Sequence, residues 1–193
     1  MRIISGKFKG ITLYGPEDKK IRPLKDMVRE SIFNFLIHSN KISFQLQHAN
    51  ILDLFSGTGS FGLECISRQA AKVFFVENKE NAIKILKKNI EKLKVSDNTK
   101  IFTNDVFHIL KKNEKTLIGQ VSDVKYDLIF CDPPFRDKNI NDLIKLIITN
   151  GLLKKNGIII LHLHKNTNEK NATYLKVIDK RIYGLSKIIF GKI

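Results

Sequence analysis

Hydrophobic positions change their spacing twice along this chain, and the changes divide it into parts. Residues 1 to 40 hold a glycine-punctuated basic segment, a proline-containing loop, and then apolar residues at Val28, Ile32, Phe35 and Leu36 in helical spacing. A small N-terminal β-hairpin followed by a helix is predicted, with Asp26 as the N-cap and Pro23 keeping Arg22 out of helical geometry. From Asn50 onward, short apolar runs alternate with helical patterns, as parallel strands joined by crossover helices require. The strands are Ile51 to Phe55, Lys72 to Val76, Lys100 to Thr103, Tyr126 to Cys131 and Gly157 to Leu163. The helices between them are Ser60 to Arg68, Glu80 to Leu93, Asp105 to Lys112 and Asn139 to Ile148. The second of these carries an apolar stripe at Ala82, Ile83, Leu86, Ile90 and Leu93. The tail departs from the alternation, because Tyr174 to Tyr183 and Ser186 to Ile193 read as two strands separated only by Gly184 and Leu185. The expected fold is therefore α/β and Rossmann-like, a mostly parallel seven-stranded sheet closed by a C-terminal antiparallel hairpin. Residues 41 to 193 form its main domain and residues 1 to 40 an extension.

A chain of 193 residues, 42% of them apolar, can bury one sizeable core. Its two cysteines, Cys65 and Cys131, lie in unrelated contexts, so neither a disulfide framework nor a zinc site is suggested. The opening MRIISGKFKG has no apolar signal region, and no apolar run approaches the roughly 20 residues that span a bilayer. A cytoplasmic protein is expected, a monomer with no membrane or metal partner. The net charge of +15 creates a field that concentrates polyanions, and nucleic acid is the natural one. Lys, Ile and Asn are abundant together, as an AT-rich coding sequence would also make them, so charge alone does not name the partner.

The chemistry begins where the first strand runs into Asp53-Leu54-Phe55-Ser56-Gly57-Thr58-Gly59-Ser60-Phe61-Gly62. Its glycines suit a sharp turn that lets a ligand approach the backbone, and their spacing also satisfies the dinucleotide fingerprint. Asp53 argues against a dinucleotide. A carboxylate at the strand end would repel a pyrophosphate but could bind the ammonium of a methionine moiety, directly or through water. Glu77, 20 residues after Gly57, ends the second strand, where a carboxylate can accept hydrogen bonds from ribose hydroxyls. Asn104 and Asp105 follow the third strand, where an adenine amino group could be read. Ser56, Thr58, Asn78 and Val106 complete the candidate cofactor set, with S-adenosylmethionine as the cofactor.

The fourth strand ends at Asp132-Pro133-Pro134-Phe135. Two prolines stiffen the backbone and remove two N–H donors, so neighbouring carbonyls are presented as acceptors. The amine of a nucleic-acid base is a poor nucleophile because its lone pair is delocalised into the ring. Asp132 and the Pro133 carbonyl can accept its two hydrogens, localise that lone pair and aim it at a sulfonium methyl. Pro134 holds the turn, and Phe135 can stack on the base. This implies a class I S-adenosylmethionine-dependent methyltransferase acting on a base amine. An NAD-dependent oxidoreductase and an adenine-N6 methyltransferase of DNA or RNA are the alternatives. The first is disfavoured by Asp53 and by a turn that offers nothing to a hydride acceptor, and a DNA enzyme by the lack of room for a recognition region.

The chain resembles the RsmD family of 16S ribosomal RNA guanine-N2 methyltransferases nearly end to end. The resemblance runs through Arg2 to Gly10, Arg22-Pro23, Asp26 to Asn34, the glycine loop, Glu77, Asp132 to Phe135 and Tyr183-Gly184. It implies methylation of a guanine N2 amine in 16S ribosomal RNA, within an assembling, protein-bound small-subunit particle. Arg2, Lys7 and Lys9 would then contact RNA phosphates, and Arg22 and Arg29 would line the cofactor or substrate mouth, with an ion pair on the helix as the alternative for Arg29. Where the family usually has Thr-Thr after Arg-Pro, this chain has Leu24-Lys25, and no role is carried over to those positions.

The five histidines show no ligand spacing. His162 and His164 share a strand face and read as structural. Cys131 has no identifiable base beside it and reads as a packing residue.

Overall fold

The computed structural model of the protein describes residues 1–16, 24–111, 124–135, 139–167 and 174–193. Its strands are β1 Asn50–Leu54, β2 Lys72–Val76, β3 Thr99–Phe102, β4 Tyr126–Cys131, β5 Leu153–His164, β6 Lys176–Tyr183 and β7 Ser186–Lys192. Its helices are α1 Asp26–His38, α2 Ser60–Ser67, α3 Glu80–Leu93, α4 Val106–Leu110 and α5 Ile140–Thr149. The expected alternation and the closing hairpin are both present. The seven strands form one sheet in the order β3-β2-β1-β4-β5-β7-β6. β1 to β5 pair in parallel, and β7 lies antiparallel between β5 and β6.

The strands read as unbroken apolar runs because both faces of the sheet are covered. On one face Ile51, Phe130, Ile158 and Ile160 pack with Val28 and Ile32 of α1, Phe61 and Leu63 of α2 and Leu86 of α3. On the other, Leu52, Val76, Ile129 and Leu161 pack with Val106 of α4 and Leu143 and Ile144 of α5. Strand order reverses between β1 and β4, and their following helices, α2 and α5, cover opposite faces. Such a switch point opens a crevice at the carboxyl ends of the two strands, which positions the site.

Three local expectations change. The N-terminal hairpin forms no regular two-stranded ladder, although the Leu13 N–H donates to the Met1 carbonyl and the Gly10 N–H to the Ile3 carbonyl, each at 2.9 Å. It is a loop closed by one antiparallel bridge, Arg2 to Thr12, with Ile3 N–H donating to the Ile11 carbonyl at 3.0 Å. The reason is its docking on α2: Lys7 N–H donates to the Ser67 carbonyl at 2.8 Å, and Phe8 N–H to Ser67 Oγ at 3.0 Å. A Cβ on Gly6 would stand 1.9 Å from that carbonyl, so only glycine allows the approach. Second, the N-cap of α1 is Lys25 rather than Asp26, because the Asp26 carboxylate turns to Arg29 at 2.9 Å instead of capping. Third, β5 begins at Leu153, four residues before the expected start: Leu153 already pairs with Tyr126, and the register against β4 shifts within the strand, between Tyr126 and Leu128.

Leu24 is buried in the core, and the Lys25 carbonyl accepts the Arg29 N–H at 3.0 Å. Arg22 and Pro23 lie outside the described residues, as does Lys112. Among the described residues no helix is long and apolar enough to cross a membrane.

Candidate active site

The glycine loop is built by positive φ angles at Phe55, Gly57 and Gly59, which turn the chain from β1 into α2. Its three glycines do different things. A Cβ on Gly57 would meet nothing within 4 Å, so this residue opens the loop outward. A Cβ on Gly59 would lie 2.4 Å from Leu86 Cδ1 of α3, and one on Gly62 would lie 2.3 Å from Phe75 Cε1 of β2. Those two glycines serve close packing beneath the loop.

Acids at successive strand ends surround the loop. Asp53 is buried, and its Oδ2 accepts the Gly62 N–H at 3.0 Å. Burial pushes its carboxyl well above the usual carboxylate range, against the pull of the Gly62 N–H, and the charges of Asp132 and Glu77 push the same way. Glu77 accepts three backbone N–H groups: Gly57 at 2.8 Å on one oxygen, and Asn78 at 3.0 Å and Lys79 at 2.9 Å on the other. The carboxylate thus ties the glycine loop to the end of β2. Asp105 caps α4 through the His108 N–H at 3.1 Å and meets Asn78 Nδ2 at 3.4 Å, while Asn104 Oδ1 accepts the Asp105 N–H at 2.7 Å. Val106 is buried beside them.

Two buried acceptors in the loop region, Asp53 Oδ1 and Ser56 Oγ, have no hydrogen-bond partner among the described residues. A buried carboxylate with an idle oxygen, beside a loop open at Gly57, fits a ligand that brings a cationic donor group. The residues present therefore fit the ammonium end of S-adenosylmethionine and are poorly matched to a pyrophosphate. Among the described residues no group of three or more His, Cys, Asp or Glu could hold a metal ion.

The proline turn stands directly beside this loop. Asp132 N–H donates to the Leu54 carbonyl at 3.3 Å, so the ends of β4 and β1 are joined at the switch point. Pro133 is buried, Pro134 exposed and Phe135 half-buried. Asp132 Oδ1 lies 2.8 Å from His162 Nδ1, and His162 Nε2 lies 2.8 Å from Ser186 Oγ. The Phe135 ring meets His162 and His164 edge-on, at centroid distances of 5.3 and 5.4 Å. Sequence reasoning had set these histidines apart from the site. β4 and β5 pair Cys131 with Leu161, which brings the next residues, Asp132 and His162, side by side. Cys131 itself is buried, and burial pushes its thiol up, which keeps it inert at neutral pH.

The basic residues divide. Arg2, Lys7 and Lys9 are exposed on the N-terminal loop. Arg29 does not line a mouth: it is completely buried, and it donates to the Ser60 carbonyl at 3.3 Å and to the Arg2 carbonyl. Its charge is balanced by Asp26 at 2.9 Å and Glu64 at 3.9 Å. Burial draws its pKa below the ordinary guanidinium value, opposed by Glu64 and then Asp26. Glu64 in turn accepts Ile4 N–H at 2.7 Å and Ser5 N–H at 2.9 Å, so this ionic cluster fastens the N-terminal loop and α1 to α2. Asn89 on α3 makes a second clasp, bonding Tyr14 through both its N–H and its carbonyl, and the Thr58 carbonyl at 3.1 Å. Its signal was available: a buried polar residue one turn after Leu86 on the apolar stripe.

The family described as Conserved hypothetical protein 95 matches residues 1–192. A relative from Buchnera aphidicola, named ribosomal RNA small subunit methyltransferase D, is 34% identical over 173 residues, covering 90% of this chain and 80% of the relative. The solved structure of the Escherichia coli protein yhhF superposes with a TM-score of 0.81 at 26% identity, covering 99% of this chain and 96% of that one. The solved structure of SMU.776 complexed with SAH shares the fold, with a TM-score of 0.65 at 18% identity over 86% of this chain and 48% of that one. With the match running over nearly its whole length, the chain belongs to the Conserved hypothetical protein 95 family, which is the RsmD family.

Proposed function

We propose that this protein transfers a methyl group from S-adenosylmethionine to the exocyclic N2 amine of a guanine in 16S ribosomal RNA, within an assembling small-subunit particle in the cytoplasm. The observation that carries this reading is the junction of the two loops, where the Asp132 N–H on the Leu54 carbonyl sets a rigid acceptor turn against a glycine loop with unused buried acceptors. The name of the Buchnera relative supports the substrate, and the SAH complex of a neighbour supports the cofactor.

In this reading Asp53 and Ser56 hold the methionine end of the cofactor. Gly57, Thr58 and Gly59 leave room for it. Glu77 has about four acceptor sites as a carboxylate and uses three on backbone N–H groups, which leaves one for a ribose hydroxyl. Asn78, Asn104, Asp105 and Val106 frame the adenine. When bound, the cofactor supplies a methyl carbon on a sulfonium, so that a C–N bond forms as the C–S bond breaks and the electron pair stays on sulfur. Asp132 and the Pro133 carbonyl accept the two hydrogens of the base amine and aim its lone pair, Pro134 keeps the turn rigid, and Phe135 stacks on the base. The surplus proton on the methylated nitrogen leaves to solvent by way of Asp132, whose side chain keeps 24% exposure.

Residues 1–40 act as the RNA-facing extension of a methyltransferase domain spanning 41–193, with Arg2, Lys7 and Lys9 on phosphates. The test is transfer of labelled methyl from S-adenosylmethionine to small-subunit particles and free RNA lacking the modification, followed by nucleoside analysis. Label in N2-methylguanosine is expected. Label in another base, or none in either substrate, overturns the reading.

A further inference from the structure

We propose that His162 is a positioning residue that engages one oxygen of Asp132 and thereby leaves the other to meet the base amine. The proposal rests on the base-amine reading above. An ionised carboxylate can only accept, so the 2.8 Å contact between Asp132 Oδ1 and His162 Nδ1 requires the proton to sit on Nδ1. A neutral ring then has an acceptor at Nε2, and the Ser186 hydroxyl, 2.8 Å away, donates to it. Each end of the imidazole is therefore fixed, and the ring is locked in one tautomer. His162 and Ser186 are 6% and 3% exposed, so water does not compete for these bonds.

The consequence falls on Asp132. The rotation of a carboxyl group about its last side-chain bond is broad and nearly two-fold, so an unanchored Asp132 would present either oxygen over a range of angles. With Oδ1 engaged by the imidazole, Oδ2 and the Pro133 carbonyl remain as the pair of acceptors that an amine with two hydrogens needs. The same ring touches Phe135 edge-on at 5.3 Å, so one imidazole sets both the acceptor and the aromatic platform. A histidine that merely fills space would do neither.

Two variants separate these roles. In His162→Asn the side-chain amide nitrogen can take the place of Nδ1 and donate to Oδ1, whereas His162→Leu fills similar volume with no donor. For His162→Leu, kcat for methyl transfer to small-subunit particles should fall by about 100-fold, as misplacement of an aligned group does, with KM for the particle and calorimetric affinity for S-adenosylmethionine within a few-fold of wild type. His162→Asn should recover most of the loss. In the 15N NMR spectrum of the wild-type protein, under conditions where the imidazole is uncharged, His162 should show a protonated Nδ1 and a bare Nε2. Unchanged kcat in His162→Leu, equal impairment in both variants, or a bare Nδ1 overturns the proposal. If His162→Leu does not fold, the 15N spectrum and the response of kcat to Ser186→Ala, expected to drop several-fold, decide it. A wild-type protein that methylates no RNA would sink the functional reading itself, which is distinct from a working enzyme indifferent to His162.

Discussion

The glycine loop and the proline turn meet at one point, the Asp132 N–H on the Leu54 carbonyl, yet they are held in opposite ways. On the glycine side, the carboxylates accept backbone N–H groups: Asp53 Oδ2 from Gly62, nine residues on, with Oδ1 left unused, and Glu77 from Gly57, Asn78 and Lys79. On the proline side, Asp132 is satisfied by a side chain 30 residues away, itself anchored by a hydroxyl 24 residues further on. The glycine side is a preformed cradle of backbone tied by two carboxylates, sensitive where a Cβ would intrude or a carboxylate is lost. The turn is an aimed acceptor whose direction depends on β5 and β7. The first should respond to substitution through stability and cofactor affinity, the second through turnover.

The largest effect is expected beneath the cradle. Arg29→Ala strips the Ser60 carbonyl of a donor and leaves Glu64 with less compensation, and losing one partner of a buried ion pair costs about 3–5 kcal/mol. Urea denaturation should show this as a lowered midpoint. Across the junction, Asp132→Ala should lower kcat by about 10³-fold, near the upper range for removal of a single electrostatic contact in an active site. Its thermal stability should stay close to wild type.

Within the loop the three glycines sharpen the contrast. Gly62→Ala places a methyl 2.3 Å from Phe75 and should destabilise the fold by about 1–3 kcal/mol. Gly57→Ala meets no atom within 4 Å, so only its left-handed backbone, at a cost of about 1–2 kcal/mol, opposes it. Its larger effect should be on S-adenosylmethionine affinity measured by calorimetry.

Asp53 gives a pH signature. Its folded carboxyl is raised above the unfolded value, chiefly by burial, so between the ordinary carboxylate range and the raised folded value the unfolded chain binds fewer protons. Stability contributed by the protonated group is present at low pH and declines as pH rises through that window. Asp53→Asn should remove this decline, giving a protein more stable than wild type at neutral pH, and weaken cofactor binding. Denaturation series across pH, with parallel titrations, check both. The smallest effect belongs to Lys25, an N-cap with no side-chain hydrogen bond: Lys25→Thr should stabilise α1 by about 1 kcal/mol. The gain should appear as a small rise in melting temperature.

What could be read along the chain follows the same division. Strand positions and the glycine loop were legible because their signals are local: buried runs such as Lys72 to Val76, and glycines and acids spaced by one strand, turn and helix. Asp132 was legible as part of a stiff tetrapeptide. His162 was not, because nothing near it in sequence distinguishes a strand histidine that fills a core from one that the β4–β5 register sets beside Asp132. Arg29 was misplaced for a related reason. A basic residue on a leading helix resembles a surface contact until Glu64, from another helix, is seen to balance its charge in the interior. The N-terminal SGK segment suggested a hairpin, whereas its glycine is required by the carbonyl of Ser67, a contact across some sixty residues of chain.

Parallel calorimetric titration of S-adenosylmethionine and NAD into wild type and Asp132→Ala tests the separation of cradle from turn most directly. Both proteins are expected to bind S-adenosylmethionine with affinities within a few-fold of each other and to ignore NAD. Saturation by NAD, or loss of S-adenosylmethionine affinity on removing Asp132, would contradict it.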